Sequence, residues 1–338
     1  MDIKISKSRL KNLLAYDWGK ILISIIAGIV VWSLLFTTLA TRVTVGEEFV
    51  FVVYENVSIE NSKKNDNLLT NLKNDGVLSY DVLKLSTSYI TSAGQYSASY
   101  MLSLRASTQE GDVLLISDGS AVEVKEGEDD PKQEISTVIN SGYLYDFEKF
   151  LKDAQTYCTG NGFIVENGDG TYTVDEEKIE NYFRNVRLKS AGNYRKTYRT
   201  EAKRQEGVKQ EIKRIKDIYE NYLFVSRAIE QAKAENNDVL WYGKIKQYDK
   251  DGNVIEGGEQ VYPFGIDLHK LNVPFRGSET DKKPDLSKTW YTFANGKTTS
   301  EGLVLGVFNF KPHQPDMQYE SLAFVKYVIE TYSGYGHV

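Results

Sequence analysis

The most apolar stretch of the chain is Ile21–Ala40, ILISIIAGIVVWSLLFTTLA, which carries no charge. It has about the 20 residues an α-helix needs to cross a bilayer core of roughly 30 Å. Lys20 and Arg42 close its ends, and Trp18 stands at the first boundary, where an amphipathic ring suits the headgroup layer. Inside hydrocarbon every backbone polar group must be paired within the segment, so the pattern predicts an uninterrupted helix. A cleaved signal peptide has an apolar stretch of about 7–15 residues and an A-x-A-like site. This run is longer, and only Thr38-Leu39-Ala40 faintly resembles such a site. A lipoprotein needs a Cys directly after the apolar run, whereas the one Cys is at 158. The reading is therefore an uncleaved signal anchor over 21–41, with the lipid bilayer as its partner. Lys4, Lys7, Arg9, Lys11 and Lys20 precede it against Asp2 and Asp17. That bias predicts a cytoplasmic segment 1–20 and a domain outside the cell membrane from about residue 43.

Beyond the anchor the pattern alternates between strand and helix periods. Phe49–Tyr54 is continuously apolar, as in a strand buried on both faces. Leu68, Leu69 and Leu72 fall on a helix face that Asn74-Asp75-Gly76 stops. Ser79–Leu85 alternates as a strand, residues 95–110 read as a helix with Tyr96, Tyr100 or Met101, and Leu104 on one face, and 112–117 is again a strand. Strand, helix, strand, helix, strand predicts an α/β unit with right-handed crossovers. The charged tract Glu123–Lys132 reads as an exposed loop. Further helices are predicted from Phe147 to about Cys158, from about 176 to 189 behind the cap Asp175, and from about 195 to 234. The last carries Val208, Ile212, Ile215, Tyr219, Tyr222 and Ile229, a long amphipathic face or, less simply, a coiled-coil seam. Asn167-Gly168-Asp169-Gly170 and Asp251-Gly252-Asn253 mark hairpins. Gly302–Phe310 is a terminal strand and Tyr319–Tyr332 a terminal helix, after a loop-rich stretch 274–300.

Charge and composition narrow the partners. The whole chain has a net charge of −6, and the part beyond the basic N-terminal segment is more acidic still. That argues against nucleic acid or an anionic lipid surface as a partner of the domain. A single Cys excludes an internal disulfide framework. The 23 Tyr against 14 Phe offer apolar bodies with polar tips, suited to carbohydrate or peptide surfaces as well as to ordinary half-buried packing.

The searched-for chemistry is mostly absent from the sequence. His269, His313 and His337 stand far apart without metal-ligand spacing, so no metal or other cofactor is expected. No G-x-S-x-G elbow, phosphate-cradling loop or dinucleotide fingerprint occurs. Asp249-Lys250-Asp251-Gly252-Asn253 departs from a calcium loop, with glycine at the fourth position and Gln260 at the twelfth. No catalytic residue is assigned, and a non-enzyme is expected.

Several short pieces, taken in order, resemble the extracellular solute-binding proteins of bacterial ABC importers, the two-lobed type II kind. They are Glu110–Ile116 (EGDVLLI), Gly142–Phe147 (GYLYDF), Tyr262–Leu268 (YPFGIDL), Leu305–Phe308, and Glu320–Val328 (ESLAFVKYV). The departures are the full apolar span in place of a lipid anchor, and a long charged segment 175–235. The resemblance implies a periplasmic-binding-protein-like α/β domain with lobe 1 at 43–120 plus 262–338 and a mostly helical lobe 2 at 121–261. It also implies a membrane-tethered component of a Gram-positive importer, with permease subunits as partners and a sugar, oligosaccharide or peptide held in the inter-lobe cleft.

Ligands in such sheets bind outside the carboxyl ends of the strands. The candidates are therefore Tyr54, Glu55 and Asn56; Thr87, Ser88 and Tyr89; and Ser117 and Asp118. Trp241, Tyr242, Trp290 and Tyr291 are candidate stacking faces, with ordinary packing as the alternative for each. For Asp118-Gly119 the alternative is a plain strand-ending turn. The competing function is a scaffold or sensory domain of a membrane complex that keeps the fold without a ligand. Ser24 and Gly28, four apart in the span, would allow close helix approach there. A surface hydrolase has no constellation behind it.

Overall fold

The structure, a computed structural model, describes residues 18–39, 43, 47–54, 57, 70–72, 74–91, 97–121, 131–190, 192–247, 255, 257–271, 292–294, 297–310, 319–333 and 335. The chain divides into two compact units, one ending at Val43 and the other running from Thr44 to Val338. The first contains helix α1, Trp18–Leu39. Its apolar side chains surround the axis, from Leu22, Ile23, Ile25 and Ile26 to Trp32, Leu34 and Leu35, and all are exposed. A helix apolar all round needs burial in protein or lipid. This one is long and apolar enough to cross a membrane.

The second unit is built on a six-stranded mixed sheet. Its strands are β1 (Glu48–Tyr54), β2 (Lys84–Ile90), β3 (Val113–Ser117), β6 (Leu240–Ile245), β7 (Gln260–Asp267) and β10 (Leu303–Val307), in the order β2-β1-β3-β10-β7-β6. β1 pairs in parallel with β2 and β3, while β10 runs antiparallel between β3 and β7, and β6 antiparallel to β7. Two small hairpins, β4–β5 (Ile164–Glu166, Tyr172–Val174) and β8–β9 (Thr292–Ala294, Lys297–Thr299), lie outside this sheet.

Strand alternation sends successive side chains into two cores. Phe49, Phe51 and Val53 of β1, Val113 and Leu115 of β3, and Leu303, Leu305 and Val307 of β10 enter one. There they meet helices α4 (Phe147–Gly160), α8 (Glu201–Ala234) and α10 (Glu320–Tyr332). Val50, Val52, Tyr54, Leu114, Ile116 and Val304 point the other way, onto α2 (Ala98–Thr108) and α3 (Pro131–Asn140). The result is a three-layer α/β/α arrangement.

The expected division into two lobes is not confirmed. Segment 121–261 supplies α3 to one face of the sheet, α4 and α8 to the other, and β6 to its edge. From Thr44 onward the contacts form one unit, because the apolar faces of those helices are buried on the same sheet that lobe 1 was to own. Among the described residues, the only strands of 121–239 are the short β4–β5 hairpin.

Local signals explain most element ends. Ser97, Asp146, Asp175 and Thr200 cap α2, α4, α5 (Glu176–Tyr182) and α8, each accepting a hydrogen bond from the backbone N–H three residues on. The expected helix 176–189 opens after α5 into a π-helical turn, Phe183–Arg187, and closes in α6 (Leu188–Ser190). The expected helix 195–234 is broken, with α7 (Gly192–Thr197) separated from α8 by the Thr200 cap. On α2, Ala98 and Leu102 are buried and Met101 packs against the same core, while Tyr100 and Leu104 are about half exposed (50% and 49%); Tyr96 lies outside the described residues. The strand expected at 79–85 begins only at Lys84. The hairpin turn at 251–253 lies outside the described residues.

Gly207 marks the closest packing of α8. A methyl group there would run into the buried rings of Phe183 and Tyr198. At an exposed helix position Gly→Ala gains about 1 kcal/mol. Here overpacking dominates, so G207A should lower the stability of the full chain by about 1–3 kcal/mol. A urea titration in detergent should show a lower midpoint at unchanged slope; a higher midpoint contradicts this packing.

Candidate functional site

One end of the sheet gathers several polar side chains that could meet a ligand. Pairing aligns Ser117 with Leu303, Asp267 with Val304, and Leu240 with Ile266, so the carboxyl ends of β3 and β7 lie beside the amino ends of β10 and β6. Ligands of open α/β sheets bind at such an end. Asp118, directly after β3, accepts from the Ser120 N–H at 2.8 Å through Oδ1 and from the Trp241 indole N–H at 2.9 Å through Oδ2. Its own N–H donates to the Gly302 carbonyl at 2.8 Å. Gly302 has φ +71°, and any side chain there would collide with the Asp118 carboxylate.

Beside this clasp, Asp267 caps the short helix α9 (Leu268–Leu271), accepting from the N–H groups of His269 and Lys270 at 2.9 and 3.1 Å. Burial, with a further push from Asp118, raises the Asp267 carboxyl above its ordinary value despite those bonds. His269 Nδ1 lies 2.9 Å from Ser300 Oγ. A nucleophilic pair needs an accessible hydroxyl and a third group that orients the base. Ser300 is buried. The pair therefore reads as a tie between α9 and the start of β10. No group of three His, Cys, Asp or Glu among the described residues could hold a metal ion.

The expected ligand residues are only partly brought together. Ser117, Asp118 and Trp241 share this sheet end. Ser117 is buried and accepts from the Gly119 N–H at 3.1 Å. Tyr54 is inside the α2–α3 core. Ser88 accepts from Arg105 of α2. Thr87 is half-buried, and Tyr89 is exposed on the edge strand β2. The Tyr242 hydroxyl donates to Asp238 at 2.8 Å. Glu55, Asn56, Trp290 and Tyr291 lie outside the described residues. Asp267, His269 and Ser300 were missed by sequence reasoning. The turn signal at Asp267 was available, but the pairing that joins it to Asp118 is not local.

A second polar group is enclosed between α4, α7, α8, α10, the π-helical turn and the 79–81 turn. Arg187 Nη2 stands 2.6 Å from Asp81 and its Nε 3.5 Å from Glu211. Arg214 grips Glu211 with two hydrogen bonds of 2.7 and 3.1 Å and reaches the Tyr157 hydroxyl at 3.0 Å. The Tyr80 and Tyr194 hydroxyls donate to Glu211 and Asp81 at 2.8 and 3.3 Å. Ser79 gives its N–H to Glu320 at 2.9 Å and its hydroxyl to Asp81. Burial works to raise Asp81, yet the Arg187 and Arg214 charges hold it below the ordinary carboxylate value. Burial pushes the Cys158 thiol nearby up to about 12, which keeps it protonated and unreactive.

No family model matches the chain, and no curated protein or solved structure matches it.

Removing one partner of a buried ion pair strands the other charge, at a cost of about 3–5 kcal/mol. Arg214→Met should therefore destabilise the chain by that amount in chemical denaturation. The double variant with Glu211→Gln should recover part of the loss. Equal stability of R214M and wild type would contradict the cluster.

Proposed function

We propose that this chain is a single-pass membrane protein whose domain, residues 44–338, stands outside the cell as a non-catalytic docking or sensory module for a membrane partner. The apolar helix Trp18–Leu39 and the Lys and Arg residues ahead of it support the anchor and its orientation. The observation that carries the module reading is that the side chains best suited to grip a solute already grip one another. Asp118 holds Trp241, Asp238 holds Tyr242, and Arg105 holds Ser88. A single contact unit from Thr44 onward also gives no support to a hinge between two lobes, which solute capture by closure requires.

A second reading, solute binding, is favoured by one feature: Asp118, Trp241, Asp267, His269 and Ser300 lie at the sheet end where ligands of α/β sheets bind. A ligand at 100 times its Kd adds about 2.7 kcal/mol, enough to move a melting midpoint by a few degrees. The docking reading expects no saturable shift of the purified full chain with sugars, oligosaccharides or peptides. It expects one discrete membrane-protein adduct from a photo-crosslinker at the exposed Tyr89. A saturable shift without such an adduct would establish the solute-binding reading instead.

A further inference from the structure

The enclosed charge cluster has an uneven count. Among the described residues, Asp81, Glu211 and Glu320 are buried with two cations, Arg187 and Arg214. Asp81 and Glu211 each have an arginine within 2.7 Å. Glu320, the first residue of α10, has no cation within ion-pairing distance among the described residues. Its carboxylate accepts the Ser79 N–H at 2.9 Å. Ser79 bonds Asp81 as well, so two carboxyl groups stand on either side of one serine. Like charges so placed, out of water, cannot both ionise without cost.

We propose that Glu320 is a proton-operated latch. Neutral, it seats the start of α10 against the 79–81 turn; ionised, it is an uncompensated charge inside the core and loosens both. Among the described residues, the ionisable groups of the cluster beside it are Tyr80 and Asp81 of the turn, Arg187 of the π-helical turn, Tyr194 of α7, Glu211 and Arg214 of α8, and Tyr157 and Cys158 of α4. Arg214 and the positive end of α10 favour the ionised form. Burial and the Asp81 charge outweigh them, and the carboxyl is pushed up to about 7.

The sign follows from linkage. An acid raised in the folded state contributes stability that is fully present below its unfolded value, about 4.5. That stability is lost as pH rises through about 7. Asp81, held low, acts oppositely, and its contribution is lost only as pH falls below the usual carboxylate range. The latch therefore closes on mild acidification and opens at neutral to alkaline pH.

Hydrogen exchange on the full chain in detergent, corrected for intrinsic rates, tests this. The opening equilibrium of peptides spanning 77–83 and 320–332 should rise by up to about tenfold per pH unit between about pH 5 and 7, then level off. Glu320→Gln should flatten that profile; an unchanged slope in the variant, or a flat wild-type profile, overturns the latch. If the variant does not fold, infrared difference spectra in an Asp267→Asn background, lacking the other raised carboxyl, give a direct readout. A protonated carboxyl band that titrates away near pH 7 supports the proposal, and the absence of a titrating band overturns it.

Discussion

The fold depends on one constraint: the middle strands of its sheet are apolar on both sides. Every residue of β3 and β10 is buried, and all but the first of β1. Fully burying each Phe, Leu or Val side chain contributes about 1.5–3 kcal/mol, so an uncovered face would be very costly. Two helices cover one face and three cover the other. The long segment between β3 and β7 supplies most of that cover, which is why it returns to the sheet. Its helices carry apolar stripes, such as Phe147, Phe150, Leu151 and Ala154 on α4, that match the strands they meet.

The enclosed ionic cluster is the counterpart of that dry core. Arg187 reaches it from the π-helical turn to bind Asp81 of the 79–81 turn and approach Glu211, while Arg214 binds Glu211 one turn away on its own helix α8. Such pairs add little net stability, because desolvation offsets attraction, but breaking one is costly. Their effect is to fix which parts of the 79–81 turn, α8 and α10 lie together. The same dryness that makes the arrangement specific leaves Glu320 with no cation at ion-pairing distance among the described residues, and burial raises its carboxyl above the ordinary value.

Much of the fold was legible because its strongest signals are local. The apolar runs of β1, β3 and β10, the Asn167–Gly170 turn, and the caps Asp146 and Asp175 need no distant partner to be read. What was misread depends on partners far along the chain. Ser79 and Asp81 alternate with apolar neighbours as in a strand, but their side chains and backbone are held by Arg187 and Glu320, more than 100 residues away. The pieces that resemble a two-lobed protein include Glu110–Ile116, Tyr262–Leu268 and Leu305–Phe308, and their strands all belong to the same sheet. The second lobe that the resemblance implied is not confirmed. At the candidate site, Ser117, Asp118 and Trp241 could be named as strand ends, whereas their union with Asp267, His269 and Ser300 needed the strand order.

Two cores packed on the two faces of one sheet predict that residues 44–338 unfold as one cooperative unit, and equilibrium unfolding tests that most directly. In urea, with the chain held in detergent, tryptophan fluorescence and far-ultraviolet circular dichroism should follow one transition with coincident midpoints. Two separated transitions, with the helices of 121–239 melting independently of the sheet, would contradict the account.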